Sequence, residues 1–152
     1  VSIADIRKTL PGLRALQKYA VVCGGGKNHR FNLSDAAMLK DNHIDAGGGI
    51  LATVSKLRSR VGHTVKIEVE TRNFEEVKLA VEAGADIIML DNMTAEEMKQ
   101  AVEYINGRAL TEASGNITLE NIKEKALSGI DIISMGSLTH SVTAMDISMQ
   151  ID

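Results

Sequence analysis

The sequence predicts an α/β fold in which short parallel strands alternate with covering helices. Two observations carry this. Short β-rich runs and longer helical patterns succeed each other along the whole chain. A weak repeat, Gly84–Asp91 against Gly129–Gly136, is offset by 45 residues. That offset is two βα units of roughly 22 residues, each a strand, a helix and two short loops.

Taken in order, the expected strands are Val1–Ala4, Ala37–Leu39, Val65–Val69, Ile87–Leu90, Arg108–Thr111 and Ile132–Met135. Runs this apolar are expected in a parallel sheet covered on both faces. The expected helices lie near Gly12–Val22, Ile50–Val61, Phe74–Ala83, Ala95–Ile105 and Leu119–Leu127. Asn73 with Glu76 and Thr94 with Glu97 read as capping boxes, and Thr118 is read as opening the next helix. Gly84, Gly107 and Gly129 follow helix ends, where a left-handed residue is wanted. Pro11 suits a first helical turn, where its missing N–H costs nothing. Six strands in 152 residues fall short of a closed eightfold barrel, which takes about 250 residues. The residues leave two architectures open, an incomplete barrel and a doubly wound open sheet. No linker or low-complexity tract divides the chain.

Composition removes several function classes. Lys plus Arg is 17 and Asp plus Glu is 20, a net charge of −3, which does not fit a generally basic nucleic-acid binder. The four aromatics, Tyr19, Phe31, Phe74 and Tyr104, are too few for base-stacking platforms. The single Cys23 has no internal disulfide partner, and with four histidines it gives no zinc-finger spacing. Apolar runs reach only about five residues, too short for a membrane helix, and no secretory leader opens the chain. The expected compartment is the cytoplasm, with neither membrane nor nucleic acid as a partner.

Polar chemistry collects where the strands end, the functional rim of βα-barrels. Arg7, Lys8, His29, Arg30 and Lys40 form a cationic group suited to carboxylates and phosphates. Glu70 and Asp91, one βα unit apart, suit Mg²⁺, sugar hydroxyls or a developing positive charge. Ser114-Gly115-Asn116 and Gly136-Ser137 are small turns whose amides suit a phosphate. Each residue alone has a plainer reading as a solvated charge, a cap or a loop. Gly24-Gly25-Gly26 lacks the spacing of a dinucleotide fingerprint.

Jointly, these segments resemble one family. Asp5-Ile6-Arg7-Lys8-Thr9-Leu10-Pro11-Gly12-Leu13-Arg14, Gly24-Gly25-Gly26-Lys27-Asn28-His29-Arg30 and Leu39-Lys40-Asp41-Asn42-His43-Ile44 are similar to quinolinate phosphoribosyltransferase, the carboxylating nicotinate-nucleotide pyrophosphorylase. Ile67–Glu70, Met89–Asn92, Glu112–Ile117 and Gly136–His140 follow in the same order. The resemblance implies an open, incomplete TIM-like α/β barrel of about six parallel strands with helices outside, spanning residues 1–152. It also implies an N-terminal domain that this chain lacks, and a homodimer or larger homo-oligomer in which the partner lends a basic residue to each site.

The implied reaction joins quinolinate to phosphoribosyl pyrophosphate with Mg²⁺, giving nicotinate mononucleotide, pyrophosphate and CO₂, a step of NAD biosynthesis. By similarity, Arg7, His29, Arg30 and Lys40 hold the quinolinate carboxylates and Lys8 sits by the pyrophosphate. Glu70 and Asp91 bind the ribose and Mg²⁺. Ser114, Gly115, Asn116, Met135, Gly136, Ser137 and His140 hold the 5′-phosphate end. Lys8, Lys40, Glu70 and Asp91 are the expected catalytic set. Ile6 stands where the family has Thr and is counted with the substrate-lining turn. Asn116 stands where Gly is common. The competing readings are a molybdenum-transport-associated paralogue of the same family, and a phosphate-binding barrel fragment without turnover.

Overall fold

The computed structural model describes residues 1–151. Six strands form one sheet: β1 (Ser2–Ala4), β2 (Ala37–Leu39), β3 (Ile67–Thr71), β4 (Ile87–Asp91), β5 (Leu110–Ser114) and β6 (Ile132–Ser134). Seven helices join and follow them: α1 (Arg14–Cys23), α2 (Asp41–Gly47), α3 (Ile50–Arg58), α4 (Phe74–Glu82), α5 (Ala95–Ile105), α6 (Ile122–Ala126) and α7 (Ser137–His140). The strand order is β1-β6-β5-β4-β3-β2, and every pairing is parallel. β1 and β2 are the two edges, so the sheet does not close. One cavity is nevertheless lined from the ends of all six strands, which requires the sheet to curl around it. The open six-stranded barrel is therefore the architecture.

Register explains what each face carries. Side chains alternate across a strand, and paired residues share a face. Met38 pairs with Glu68, Glu70 with Met89, Met89 with Glu112, Asp91 with Ser114, and Glu112 with Ile132. These residues form the concave face. Their neighbours Val69, Ile88, Leu90, Ala113 and Ile133 form the convex face and lie in the buried core. Val77 and Ala80 of α4 and Met98, Ala101 and Ile105 of α5 complete that core. The apolar core thus lies between sheet and helices. The concave face instead carries two buried carboxyl groups, Glu68 and Glu112, at 1% and 2% exposure.

The repeat has a structural cause. Asp86 Oδ2 accepts the amide of Ile67 at the start of β3 (2.8 Å), and Asp131 Oδ2 accepts the amide of Thr111 in β5 (2.9 Å). Each aspartate precedes its own strand and pins the strand before it.

Several expected bounds shift. β3 begins at Ile67 and not at Val65, because Val65 is still in the preceding turn, bonded to the carbonyl of Gly62. β5 runs Leu110–Ser114, two residues later than expected, since Arg108 closes the α5 turn on Ile105. α1 starts at Arg14, with Pro11 and Gly12 in a preceding turn where Gly12 takes a φ of 76°. α6 covers only Ile122–Ala126. Thr118 shapes the turn before it, accepting the Glu120 amide, and Asn121 stands at the N-cap. The capping box at Thr94 forms as expected. At Asn73 only half of the expected box forms, the side chain accepting the Glu76 amide while the Glu76 carboxylate takes the amide of Arg72 (2.7 Å) and not that of Asn73. α2 and α7 were not anticipated.

Candidate functional site

A cavity of about 480 Å³ opens at the C-terminal ends of the strands. Ile6, Arg7, Lys8, His29, Arg30, Lys40, Glu70, Asp91, Ser114, Gly115, Asn116, Gly136 and His140 all line it. Two expected site residues do not. Met135 is 5% exposed and packs in the apolar core, its amide held by the Ala4 carbonyl (2.9 Å), so that β6 presents Ser134 to the cavity in its place. Ser137 begins α7 beside the lining and is outside it. Met38, Met89 and Asn92 are lining residues that the sequence reading did not assign.

The cationic side is built on fixed backbone. Arg14 Nη2 donates to the Arg7 carbonyl (3.1 Å), and Thr139 Oγ1 donates to the Lys8 carbonyl (2.7 Å). The loop after β1 is therefore tied to α1 and α7, while among the described residues the Arg7 and Lys8 side chains enter no salt bridge. Buried Asp5 organises the next turn. It pairs with Lys18 Nζ (2.6 Å) and accepts Asn28 Nδ2 (2.7 Å) and the His29 amide (2.7 Å). That turn sets His29 and Arg30 at the cavity. Arg30 donates to the Ala36 carbonyl (3.3 Å), and its buried Nε has no protein partner. Lys40 is the N-cap of α2, which starts directly where β2 ends. Its Nζ lies 2.5 Å from Glu70 Oε2.

Gly136 permits a close fold-over. A Cβ there would lie 2.4 Å from His140 Nε2 and 2.9 Å from Ile6 Cδ1, so α7 can lay His140 across the turn only over glycine.

Below the mouth, His29 Nε2 is 3.4 Å from both Glu68 Oε2 and Glu112 Oε1. Burial opposes the charged imidazole, but hydrogen bonding and charge from Glu112 and Glu68 outweigh it and push His29 up to about 9. Burial likewise raises Glu68 above the ordinary carboxylate range. The Arg30 amide donates to His29 Nδ1 (2.7 Å), which leaves Nε2 as the protonated nitrogen. An imidazolium could not accept there, so the extra proton belongs to the cluster as a unit, shared between His29 and the Glu68 carboxyl, which is itself shifted upward. Three donors within 4.8 Å of one another also meet the spacing of a metal site. The tautomer argues against one: a metal-ligating imidazole donates its other N–H, whereas Nδ1 here accepts. We read the cluster as a buried proton-sharing group beneath the cavity.

The chemistry these residues can perform is anion binding beside a pair of carboxylates. Four permanent cations face Glu70 and Asp91 across one polar cavity. No helix is long and apolar enough to cross a membrane among the described residues.

Comparison with known proteins agrees with this geometry. The family model for the C-terminal domain of quinolinate phosphoribosyl transferase matches residues 1–150. A probable nicotinate-nucleotide pyrophosphorylase (carboxylating) of Bacillus subtilis is 49% identical over 151 residues, covering 99% of this chain and 52% of that protein. The chloroplastic nicotinate-nucleotide pyrophosphorylase (carboxylating) of Arabidopsis thaliana is 48% identical, covering 99% and 48%. The solved nicotinate-nucleotide pyrophosphorylase of Francisella tularensis superposes with a TM-score of 0.93 at 44% identity, covering 97% of this chain and 52% of that one. The chain therefore spans about half the length of the relatives it matches. A thiamine phosphate pyrophosphorylase from Pyrococcus furiosus, at 15% identity and a TM-score of 0.60, shares the fold alone.

Proposed function

Because the chain belongs to the quinolinate phosphoribosyltransferase C-terminal domain family, we propose that its cavity is the site of phosphoribosyl transfer to quinolinate with loss of CO₂, in NAD biosynthesis. One observation carries this reading: cations from three separate loops and two carboxylates from adjacent strands line a single cavity. A pyridine dicarboxylate and a pyrophosphate ester are both polyanions, and the reacting sugar carbon develops positive charge between them. A site for that pair needs cations around the rim and carboxylates at its centre.

In this reading Arg7, Arg30 and Lys40 orient the quinolinate carboxylates, which sets the ring nitrogen towards the sugar, while His29, both of whose ring nitrogens already have protein partners, forms the floor beneath them. Lys8 meets the pyrophosphate. The nitrogen lone pair forms the new C–N bond as the bond from the sugar carbon to pyrophosphate breaks. Glu70 and Asp91 stabilise the cationic sugar carbon between the two. The ribosylated ring is then a pyridinium. Its adjacent carboxylate leaves as CO₂, the bonding pair remains on the ring carbon, and a proton replaces it. Ser114, Gly115, Asn116, Gly136 and His140 are assigned to the 5′-phosphate end.

Mg²⁺ fits the donor set. Carboxylate oxygens are its ligands of choice, and two of them leave the remaining positions to the substrate's phosphates and water. Bound there, Mg²⁺ would neutralise charge on the departing pyrophosphate. Asp91 and Glu70 would hold it, Glu70 while still paired with Lys40.

We place the protein in the cytoplasm and read the exposed apolar side chains of α1, Leu16 and Tyr19 at 66% and 69%, as an assembly surface for a homodimer or larger homo-oligomer. The test is a turnover assay that follows CO₂ release from quinolinate with phosphoribosyl pyrophosphate and Mg²⁺. It is run on the chain alone and on the chain substituted for the matching half of the Bacillus subtilis relative. Product from the chimera is expected. Absence of both CO₂ and substrate binding in a folded chimera would overturn the reading.

A further inference from the structure

Asn92 is assigned no role by the reaction and Asn116 only the 5′-phosphate end, yet the geometry that joins them is specific. Both adopt left-handed backbone conformations, with φ of 55° and 49°. Asparagine tolerates this region better than most side chains. They follow β4 and β5, whose last residues Asp91 and Ser114 pair in register. The Asn92 amide donates to the Ser114 carbonyl (3.0 Å), which extends that pairing and fixes both turns side by side.

The side chains then form a directed chain. Asn92 Nδ2 donates to Asp91 Oδ2 (2.8 Å). A carboxylate only accepts, so the orientation of this amide is forced and its Oδ1 faces away. Asn116 Nδ2 donates to that Oδ1 (2.9 Å). The Asn116 carbonyl accepts Asn121 Nδ2 (3.0 Å), and Asn121 Oδ1 accepts the Thr118 amide (2.9 Å), which anchors the far end at the start of α6. Gly115 makes room for it. A Cβ there would come within 2.3 Å of Asn92 Oδ1, so only glycine lets the Asn92 amide lie flat across the turn.

We propose that Asn92, held in place by Asn116, is a positioning residue that fixes the Asp91 carboxylate in the cavity before substrate arrives. The inference rests on the role given to Asp91 above. Asp91 stands at a strand end, partly buried, and among the described residues its carboxylate enters no salt bridge. Electrostatic stabilisation needs such a group oriented in advance. Asn92 supplies that orientation without neutralising the charge, which a lysine or arginine in its place would do. Successive hydrogen bonds polarise each other, so Asn116 reinforces the bond that Asn92 makes.

The test compares four variants, with D91N as reference, in the chimera assay. Asn92→Gly keeps the left-handed backbone and removes the amide. Asn92→Asp keeps shape and backbone but replaces the donor by a second carboxylate facing Asp91. Asn116→Gly removes the outer support, and the fourth variant combines N92G with N116G. We expect kcat to fall roughly 10-fold in N92G, the scale of lost supporting contacts around a site, with KM for both substrates within about twofold. N92D falls at least as far, N116G by about threefold, and the double variant matches N92G alone, because Asn116 acts through Asn92. A purely structural role predicts instead that N92D turns over like the wild type once folded protein is counted. Wild-type kcat in folded N92D, or losses that multiply in the double variant, would overturn the proposal. If D91N itself keeps full turnover, the role of Asp91 fails and this inference with it. If D91N loses turnover while the Asn92 variants do not, only the positioning role is lost.

Discussion

Lys40 Nζ lies 2.5 Å from Glu70 Oε2, joining the end of β2 to β3 across 30 residues of sequence. Lys40 is half exposed and Glu70 is mostly covered, at 51% and 12% of their side chains. The pair does two things at once. It holds a cation where a substrate carboxylate can reach it, and it fixes a carboxylate inside a cavity rich in positive groups.

Removing either partner should therefore have unlike consequences. Lys40→Met leaves Glu70 without its counter-charge beside an incoming dianion. Quinolinate binding is expected to weaken by about 1.5–3 kcal/mol, the worth of a charge-assisted hydrogen bond. Glu70→Gln keeps the shape, frees Lys40 and leaves quinolinate binding nearly intact while lowering turnover. Calorimetric titration separates the two, and equal losses of affinity in both variants would show that the pair is only a rim salt bridge.

Arg30 makes a second test of the anion site. Its guanidinium already leans on the Ala36 carbonyl and the Met38 sulfur, so it is held for a ligand and not free in solvent. Arg30→Ala should weaken quinolinate binding by roughly 1.5–3 kcal/mol, with Arg30→Lys recovering only part because a point charge cannot reproduce the planar fork. Unchanged affinity in a folded Arg30→Ala protein would remove it from the site.

Stability should depend on pH through the His29 cluster. His29 is raised to about 9 from an unfolded value near 6.5. The folded protein then binds more protons than the unfolded chain between those values, so stability falls as pH rises. The contribution is fully present below about 6.5 and is lost as pH passes 9. Burial raises Glu68 as well, which acts in the same direction. Denaturant titrations at pH 6, 7.5 and 9 should show a decline on the order of 2 kcal/mol across the range. His29→Gln should flatten it. An equal decline in that variant would place the titrating group elsewhere.

Much of this is legible in the sequence. The caps at Asn73 and Thr94 and the repeated glycine-aspartate before β4 and β6 mark where elements begin, because each satisfies backbone groups locally. What stayed hidden has physical causes. Ile67-Glu68-Val69-Glu70-Thr71 alternates with period two, but alternation alone does not tell which of its two faces is the inside of the barrel. Placing Glu68 inside needs the register that sets it on the same face as Met89 and Glu112. α2 begins with no linker after β2 and is written in Asp, Asn and Gly, poor helix formers that packing overrides. Met135 ends an apolar strand at the rim. Only the bond from its amide to Ala4 shows that β6 turns it into the core.

The sharpest prediction concerns Asp91. It ends β4, after the buried Ile88 and Leu90 of the convex face, and alternation turns it to the cavity. Asp91→Asn keeps its size and its capacity to accept from Asn92, and removes only the charge. Its carboxylate bonds to a neighbouring side chain at the surface and to nothing in the core. Folding stability should therefore change by less than about 0.5 kcal/mol, as for other exposed substitutions. Stabilising the cationic sugar carbon, however, depends on that charge being in place. Turnover in the chimera should fall roughly 100-fold or more, with the melting temperature unchanged. Full turnover would remove Asp91 from the reaction. A variant that unfolds would show that the negative charge of this carboxylate serves the β4–β5 turn, because charge is all that the substitution removes.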